Sequence, residues 1–407
     1  MARFAVLLLL MAACNGTPVA PGGAGATVVW KNDVRIDFPD LVGGLEMMAG
    51  NLITIAADQH AVTPDQHIVI GAKIIAIDPD SGRTRWADTT LTDLVQTGDR
   101  RFYGFHFTRD GDDLIALVSN GSLGKGAVIR FSVATRRVIW QFSVNQSLYP
   151  ESLSVRNSVT CFAGSGVGSD FVTCLENGKT LWSRAIQQYA PAEIEIAASS
   201  LMVLVGSTIT FLNLKTGATT ASFQVGYVRY GDVGIHHLAS WKENQIAAFL
   251  YEGIAVFDLS SPSSQPQRFI PLVGFPRAQQ IAVEGSTAYV KYDLPYPTGG
   301  DQPRADVVAA YDLASGTQLW SRTDARVDDV WKMRPMRLQG SNLLFGDLNG
   351  DIWILDAKSG VVQRHVLPTK VSGRIFQWAS PLEYKYSVIV VDNVGSSPFD
   401  YYLAAIK

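Results

Sequence analysis

Charge is scarce in this chain. Only 17% of its 407 residues are Asp, Glu, Lys or Arg, and the net charge is -3. No basic field is available for nucleic acid, and no polybasic patch for an anionic membrane surface. Histidine and cysteine are also sparse, at six and three residues. The histidines, including His60, His67 and the pair His236-His237, have no zinc-type spacing. There is no G-x-S-x-G elbow. The segment Gly164–Ser169 lacks the third glycine of a dinucleotide loop and reads into a strand, so it is no phosphate cradle. Asp347, Asn349 and Asp351 are spaced like the start of a calcium loop but read as a hairpin turn between strands. Long helical periodicity is missing too. Short apolar runs bounded by Gly, Asn, Asp and Ser take its place, which is the pattern of an all-β chain. With 47% hydrophobic residues the chain has ample material for a core.

The longest uninterrupted apolar run near the start, Phe4 to Ala13, has ten residues. As a helix it would reach about 15 Å, half of a bilayer core. With Arg3 before it, the run is expected to be a signal peptide over residues 1–13. It ends Leu-Met-Ala-Ala-Cys, which resembles the lipobox of bacterial lipoproteins and implies acylation of Cys14. Asn15, by the sorting rule of that family, implies transfer to the outer membrane, with the body facing the periplasm or exposed at the surface. Residues 14–26 are mostly Gly, Pro and Ala, without charge, after the cysteine and its Asn, and read as a flexible tether. The other two cysteines, Cys161 and Cys174, flank a symmetric hairpin that sets them opposite each other, as a disulfide or as two packed thiols.

One spacing recurs. In "IIAIDPDSGRTRW" Asp78, Gly82 and Trp86 are four residues apart, and Asp312, Gly316 and Trp320 repeat it. Partial copies contain Asp356 and Gly360, Asn213 and Gly217, Gly178 and Trp182, Trp140 alone, and Asp258 alone. Taking the Asp-equivalent positions as 78, 132, 174, 213, 258, 312 and 356, the mean step is about 46 residues. That is the period of a propeller blade. Each copy reads as a hairpin: a buried strand, an Asp accepting backbone N–H groups in a tight turn, a Gly at positive φ, and an indole docked at a blade junction. The chain ends "YYLAAIK" without a following outer strand and opens at "ATVVWKNDV" with an outer strand, Trp30 included, but no preceding hairpin. Joining them predicts an eight-bladed propeller over residues 27–407, about 48 residues per four-stranded blade, with Val28–Lys31 alongside Leu403–Ile406.

The Ala-x-Asp-x-x-x-Gly-x-x-x-Trp pattern, at Ala76 to Trp86 and Ala310 to Trp320, resembles that of the pyrroloquinoline-quinone-like propellers. With the lipobox and tether, the layout resembles the lipoprotein propellers of the outer-membrane β-barrel assembly machinery. The resemblance implies a non-catalytic scaffold that binds protein partners of that machinery, with a monomeric body and no cofactor. The alternatives are a propeller binding a small ligand or polysaccharide at the surface, and a degenerate quinoprotein dehydrogenase. The dehydrogenases of this fold have adjacent cysteines and long insertions, and this chain has neither. Partner contacts are expected on long connections between second and third strands: "QHAVTPDQHIVIGA", "LPYPTGGDQPRAD" and "NVGSSPFDYY". Tyr296, Arg304, Phe399 and Tyr401 are the side chains expected to carry them.

Overall fold

Two-residue alternation and frequent turn residues produce, among the described residues, 34 strands and one short helix. The computed structural model describes residues 28–32 and 45–406, apart from 64–65, 96–103, 121–123, 166–168, 187–192, 206–207, 225–237, 242–243, 251–252, 260–264, 273–276, 294–303, 324–325, 328–335, 347–351, 367–373, 376–381, 386 and 393–400. The signal peptide, Cys14 and the tether lie outside the described residues.

The protein is an all-β propeller of antiparallel blades. Seven sheets are built from four consecutive strands, paired in chain order. Blade 1 comprises Glu46–Met48, Asn51–Thr63, Gln66–Ile77 and Thr84–Asp88. Blades 2 to 7 begin with the inner strands Gly104–Asp110, Ser147–Arg156, Glu193–Ala197, Leu238–Trp241, Arg277–Glu284 and Met336–Gln339. A further sheet is composite. Val28–Lys31 pairs with Tyr401–Ile406, which pairs with Ser387–Asp392, and Arg374–Ile375 completes the path. The register is Val28 opposite Ile406, Trp30 opposite Ala405 and Lys31 opposite Ala404. The regular blades therefore number seven, where the sequence pattern predicts eight equal units. Among the described residues, the composite sheet has two-residue fragments alone, Arg374–Ile375 and Leu382–Glu383, on its inner side. Blade 7 reaches blade 1 past it: Arg337 donates to the Leu45 carbonyl and pairs with Glu46 at 2.8 Å.

Inner strands need partners for backbone groups that no ladder takes up. Side chains of the preceding blade supply them. Ser119 accepts from Leu148 N–H, Ser154 from Ile196 N–H and Glu193 from Leu238 N–H, at 2.8, 3.0 and 2.9 Å. The Gln280 amide bonds both N–H and C=O of Met336, as a strand residue would.

The repeated motif makes the outer junctions. The glycines expected at positive φ have it: 71° at Gly82, 69° at Gly217, 78° at Gly316 and 68° at Gly360. Each donates its N–H to the carbonyl of the Asp or Asn four residues earlier. Trp30 lies on Gly82, Trp182 on Gly217 and Trp320 on Gly360, so each indole covers the glycine of the next unit. The indole N–H bonds the carbonyl three residues before that glycine: Pro79 at 3.0 Å, Leu214 at 2.8 Å, Ala357 at 2.9 Å. Two residues after the tryptophan, Asn32, Arg184 or Arg322 donates to the glycine carbonyl itself.

The degenerate units depart for identifiable reasons. In blade 2 the positive-φ position is Arg136, at 55°. A Cβ there excludes the indole-on-glycine arrangement, and Trp86 packs instead near Phe131, ring centres 6.3 Å apart. In blade 3 the turn shrinks to Asn177-Gly178, both at positive φ, the geometry of a tight two-residue hairpin. Position 174, counted as an Asp equivalent in the sequence, is therefore mid-strand. Trp140 still covers Gly178, but the residue three before that glycine, Leu175, is in the ladder, and the indole N–H is buried without a partner among the described residues.

Cys161 and Cys174 are register partners on adjacent strands of blade 3, with Cα atoms 4.1 Å and sulfurs 1.95 Å apart. Both are fully buried. With a sequence separation of 13, the closed bridge removes about 3 kcal/mol of unfolded-state entropy. The double replacement by alanine is expected to cost that much or slightly more, read as a lower denaturant midpoint. Unchanged stability of the wild type in reductant would show that the pair is not bridged.

Candidate interaction face

Connections between second and third strands leave the blades at one end, and of the candidate partner residues Arg304 and Tyr401 are described there. Blade 1 differs there from its siblings. "QHAVTPDQHIVIGA", expected as a loop, continues the second and third strands to 13 and 12 residues. Their pairing runs out to Thr63 opposite Gln66, through register shifts after Asp58 and Ala61. From Asp58 opposite Gly71 outward, six residues of the second strand form a two-stranded ribbon, about 20 Å long at 3.3 Å per residue. Strand pairing beyond the blade body overrides the turn-like composition that suggested a loop.

Neighbouring strands do not follow the ribbon outward. The first strand of blade 1 pairs with the second only at Asn51–Ile53, and the fourth pairs with the third only at Ile74–Ile77. Both ribbon edges thus lack a ladder partner among the described residues. In blade 3 the second and third strands are flanked along most of their length. One device supports the ribbon base. The short helix Thr90–Val95, unforeseen in the sequence, buries Leu91 in the junction between blades 1 and 2. From it, Thr92 Oγ1 both accepts from Ala72 N–H and donates to Ala72 C=O, each at 3.0 Å. Thr92 thereby takes up both edge groups of Ala72 as a neighbouring strand would.

The other candidates divide. Arg304 opens the third strand of blade 6, Arg304–Asp312, and pairs with Val327. Tyr401 opens Tyr401–Ile406 and pairs with Asp392. Both are strand residues, not loop residues as expected, because pairing begins earlier than the loop composition indicates. Tyr296 and Phe399 lie outside the described residues, as do Asp347, Asn349, Asp351 and His236-His237. His60 and His67 are on the ribbon, opposite Ile68 and Ala61. Among the described residues there is no group of three or more His, Cys, Asp and Glu placed to hold a metal ion. No described helix is long and apolar enough to cross a membrane.

The acids of the motif are at the opposite end of the blades and are occupied by their own turns. Asp78 Oδ1 accepts from the N–H groups of Asp80 and Ser81, and its Oδ2 pairs with Arg85 at 2.6 Å. Arg85, followed by these backbone donors, holds the carboxyl well below its usual range. The Ser315 hydroxyl lowers Asp312 and the Ser359 hydroxyl lowers Asp356, again with backbone N–H help. A carboxylate depressed by folding stabilises the protein above its unfolded value, near pH 3.9, and loses that contribution as pH falls through the folded value. Stability is therefore expected to hold down to about pH 5 and to drop below about pH 4. Asn213 makes the same turn without a charge. Asp312→Asn with Asp356→Asn should flatten the acid limb of a denaturation-midpoint profile; an unchanged limb would refute this origin.

The family model described as outer membrane protein assembly factor BamB matches residues 23–225, just under half of the chain. No curated protein sequence matches. Among solved structures, BamB from Moraxella catarrhalis aligns with a TM-score of 0.54 and 16% identity, over 93% of this chain and 99% of that one. A europium-containing methanol dehydrogenase aligns at 0.59 and 11%, over 94% and 93%. A quinohaemoprotein alcohol dehydrogenase from Pseudomonas putida aligns at 0.56 and 10%, over 95% and 77%. The chain is thus a β-propeller that resembles BamB and the pyrroloquinoline-quinone-like propellers, and at these identities the structural likeness speaks for the fold alone.

Proposed function

We propose that this protein is a non-catalytic scaffold of the bacterial envelope, held at the outer membrane through acylated Cys14, that presents the blade 1 ribbon and its neighbouring connections to a protein partner in outer-membrane protein assembly. The observation that carries the proposal is the ribbon: two strands continuing beyond the blade body with no ladder partner on either edge among the described residues. An isolated two-stranded ribbon is marginal in water, and an open edge is a template for another strand. A partner segment adding along it would satisfy those backbone groups. In this reading the composite sheet acts as the eighth blade, and the Cys161–Cys174 pair is bridged because the body resides in an oxidising compartment.

The test is crosslinking and affinity capture from membranes with the wild type and with a ribbon-trimmed form, in which residues 58–71 are replaced by a two-residue Asn-Gly turn. Capture of the barrel assembly machinery by the wild type, lost on trimming, is the expected result. Equal capture by both would remove the ribbon from the interface, and absence of that machinery from both would overturn the assembly role. The Cys14→Ser form should leave the membrane fraction; retention there would refute the lipid anchor. The likeness to alcohol dehydrogenases gives a second reading, a degenerate quinoprotein. Dye-linked alcohol oxidation on adding quinone and calcium would support it over the scaffold.

A further inference from the structure

The junction between blades 3 and 4 contains a cavity of about 280 Å³. Its origin is visible by comparison with the junction between blades 6 and 7. There, Trp353 lies two residues before Leu355 on the third strand of blade 7, faces blade 6, and stacks on its register partner His365 at 3.8 Å between ring centres. In blade 4 the equivalent pair is Thr210 and its register partner Ser222. Two small hydroxyl side chains stand where the sibling blade has an indole and an imidazole, and the space they leave is the cavity.

Its walls are of two kinds. Val203 and Leu212 of blade 4 and Ile186 of blade 3 are apolar. Thr210, Thr219 and Ser222 bring hydroxyls, and Arg184 brings a guanidinium from the outer strand of blade 3. One arm of that guanidinium, Nη1, is held by the Gly217 carbonyl at 2.8 Å and Thr219 Oγ1 at 2.9 Å. No acidic residue lines the cavity, and Arg184 has no ion pair among the described residues. An oriented cation beside hydroxyls and an aliphatic wall is the chemistry that recognises a carboxylate with a short branched body. The volume, near the lower end of those of small-molecule sites, leaves room for a group of amino-acid size.

We propose that this inter-blade cavity is a binding site for a small aliphatic carboxylate, either a free acid or the carboxyl end of a peptide chain. The site is independent of the scaffold reading and lies in a different pair of blades from the ribbon. The test uses the full chain and four probes: isobutyrate, its neutral isostere isobutyramide, and acetyl-Ala-Ala-Val with a free or an amidated end. Methyl NMR shifts of Ile186, Val203 and Leu212 report occupancy, with affinities from titration.

Isobutyrate is expected to shift these methyls and to bind at least about tenfold more tightly than the amide. The free-ended peptide binding more tightly than isobutyrate would identify chain ends as the source. Isobutyrate binding without the peptide would identify free acids. Arg184→Met should abolish the preference for the acid. Because Arg184 also holds Gly217, a second variant is needed, and Thr210→Trp places in blade 4 the residue its sibling already accommodates. That variant should fold and bind none of the four probes. Equal affinity for acid and amide, no methyl shift with any probe, or unchanged binding in Thr210→Trp would each overturn the proposal.

Discussion

Replacing Trp30 with alanine is expected to lower stability by about 3–5 kcal/mol, the usual cost of truncating a large buried aromatic, and to open the seam between the chain ends. Trp30 is only 7% exposed although it belongs to a four-residue strand. Its ring covers Gly82, its N–H bonds the Pro79 carbonyl, and Asn32 beside it bonds the Leu403 carbonyl through its own N–H at 2.9 Å. The indole is thus the largest contact that locks the composite sheet onto blade 1, beside the bond from the Asn32 side chain to the Gly82 carbonyl. Lys385 adds an exposed pair with Asp80, of a kind worth about 1 kcal/mol or less. Arg337 of blade 7 holds blade 1 at the inner side independently of Trp30. Loss of Trp30 should therefore free the outer side first. The check is a urea midpoint combined with limited proteolysis, in which cleavage near Val28–Lys31 appears before cleavage in blades 2 to 6. Trp140 provides the control for the N–H contribution. Its indole nitrogen is buried and unpaired, so Trp140→Phe should cost less than Trp30→Phe by about 1 kcal/mol or more. Uniform proteolysis of all blades in Trp30→Ala would show that the seam has no separate stability.

What was legible in the sequence were features with a stereochemical reason of their own. The Asp-x-x-x-Gly-x-x-x-Trp spacing could be read because three residue types each answer a different need at fixed offsets: an acceptor for turn N–H groups, a residue without Cβ, and a ring to cover it. The pairing of Val28–Lys31 with the chain end followed from two half-motifs that complete each other. The junction bonds made by Asn32, Arg184 and Arg322 were missed, although Trp-Ser-Arg occurs at both Trp182 and Trp320 and its repetition was a usable signal. The ribbon was missed for a different reason. Pro64 and Asp65 and the polar residues around them look like a loop, and no local rule says that pairing continues on either side of them. The ion pair between Arg337 and Glu46 spans 291 positions, and no periodicity connects them. The six-residue helix Thr90–Val95 is too short to show an amphipathic pattern. The cavity was legible only in retrospect. Thr210 and Ser222 are unremarkable until Trp353 and His365 show what the same positions hold elsewhere.

Substituting Gly360 by valine is the second change expected to be severe, costing about 2–5 kcal/mol as the sum of two independent penalties. The first is conformational. At φ 68° a residue with a Cβ costs about 1–2 kcal/mol, and a β-branched one is the worst case. The second is steric. A Cβ on Gly360 would sit 2.6 Å from Cδ2 of Trp320, closer than atoms tolerate, so the indole must leave or the turn must shift, at about 1–3 kcal/mol. Displacing Trp320 also breaks its bond to the Ala357 carbonyl. Gly111 separates the two penalties. Its φ is 64°, but a Cβ added there would have nothing within 4 Å, so Gly111→Val should show the conformational cost alone. The difference between the two variants in denaturant midpoint then measures the indole contact at a blade junction. Equal losses at Gly360 and Gly111 would mean that the ring yields freely and that glycine is required for the turn, with the indole merely resting on it.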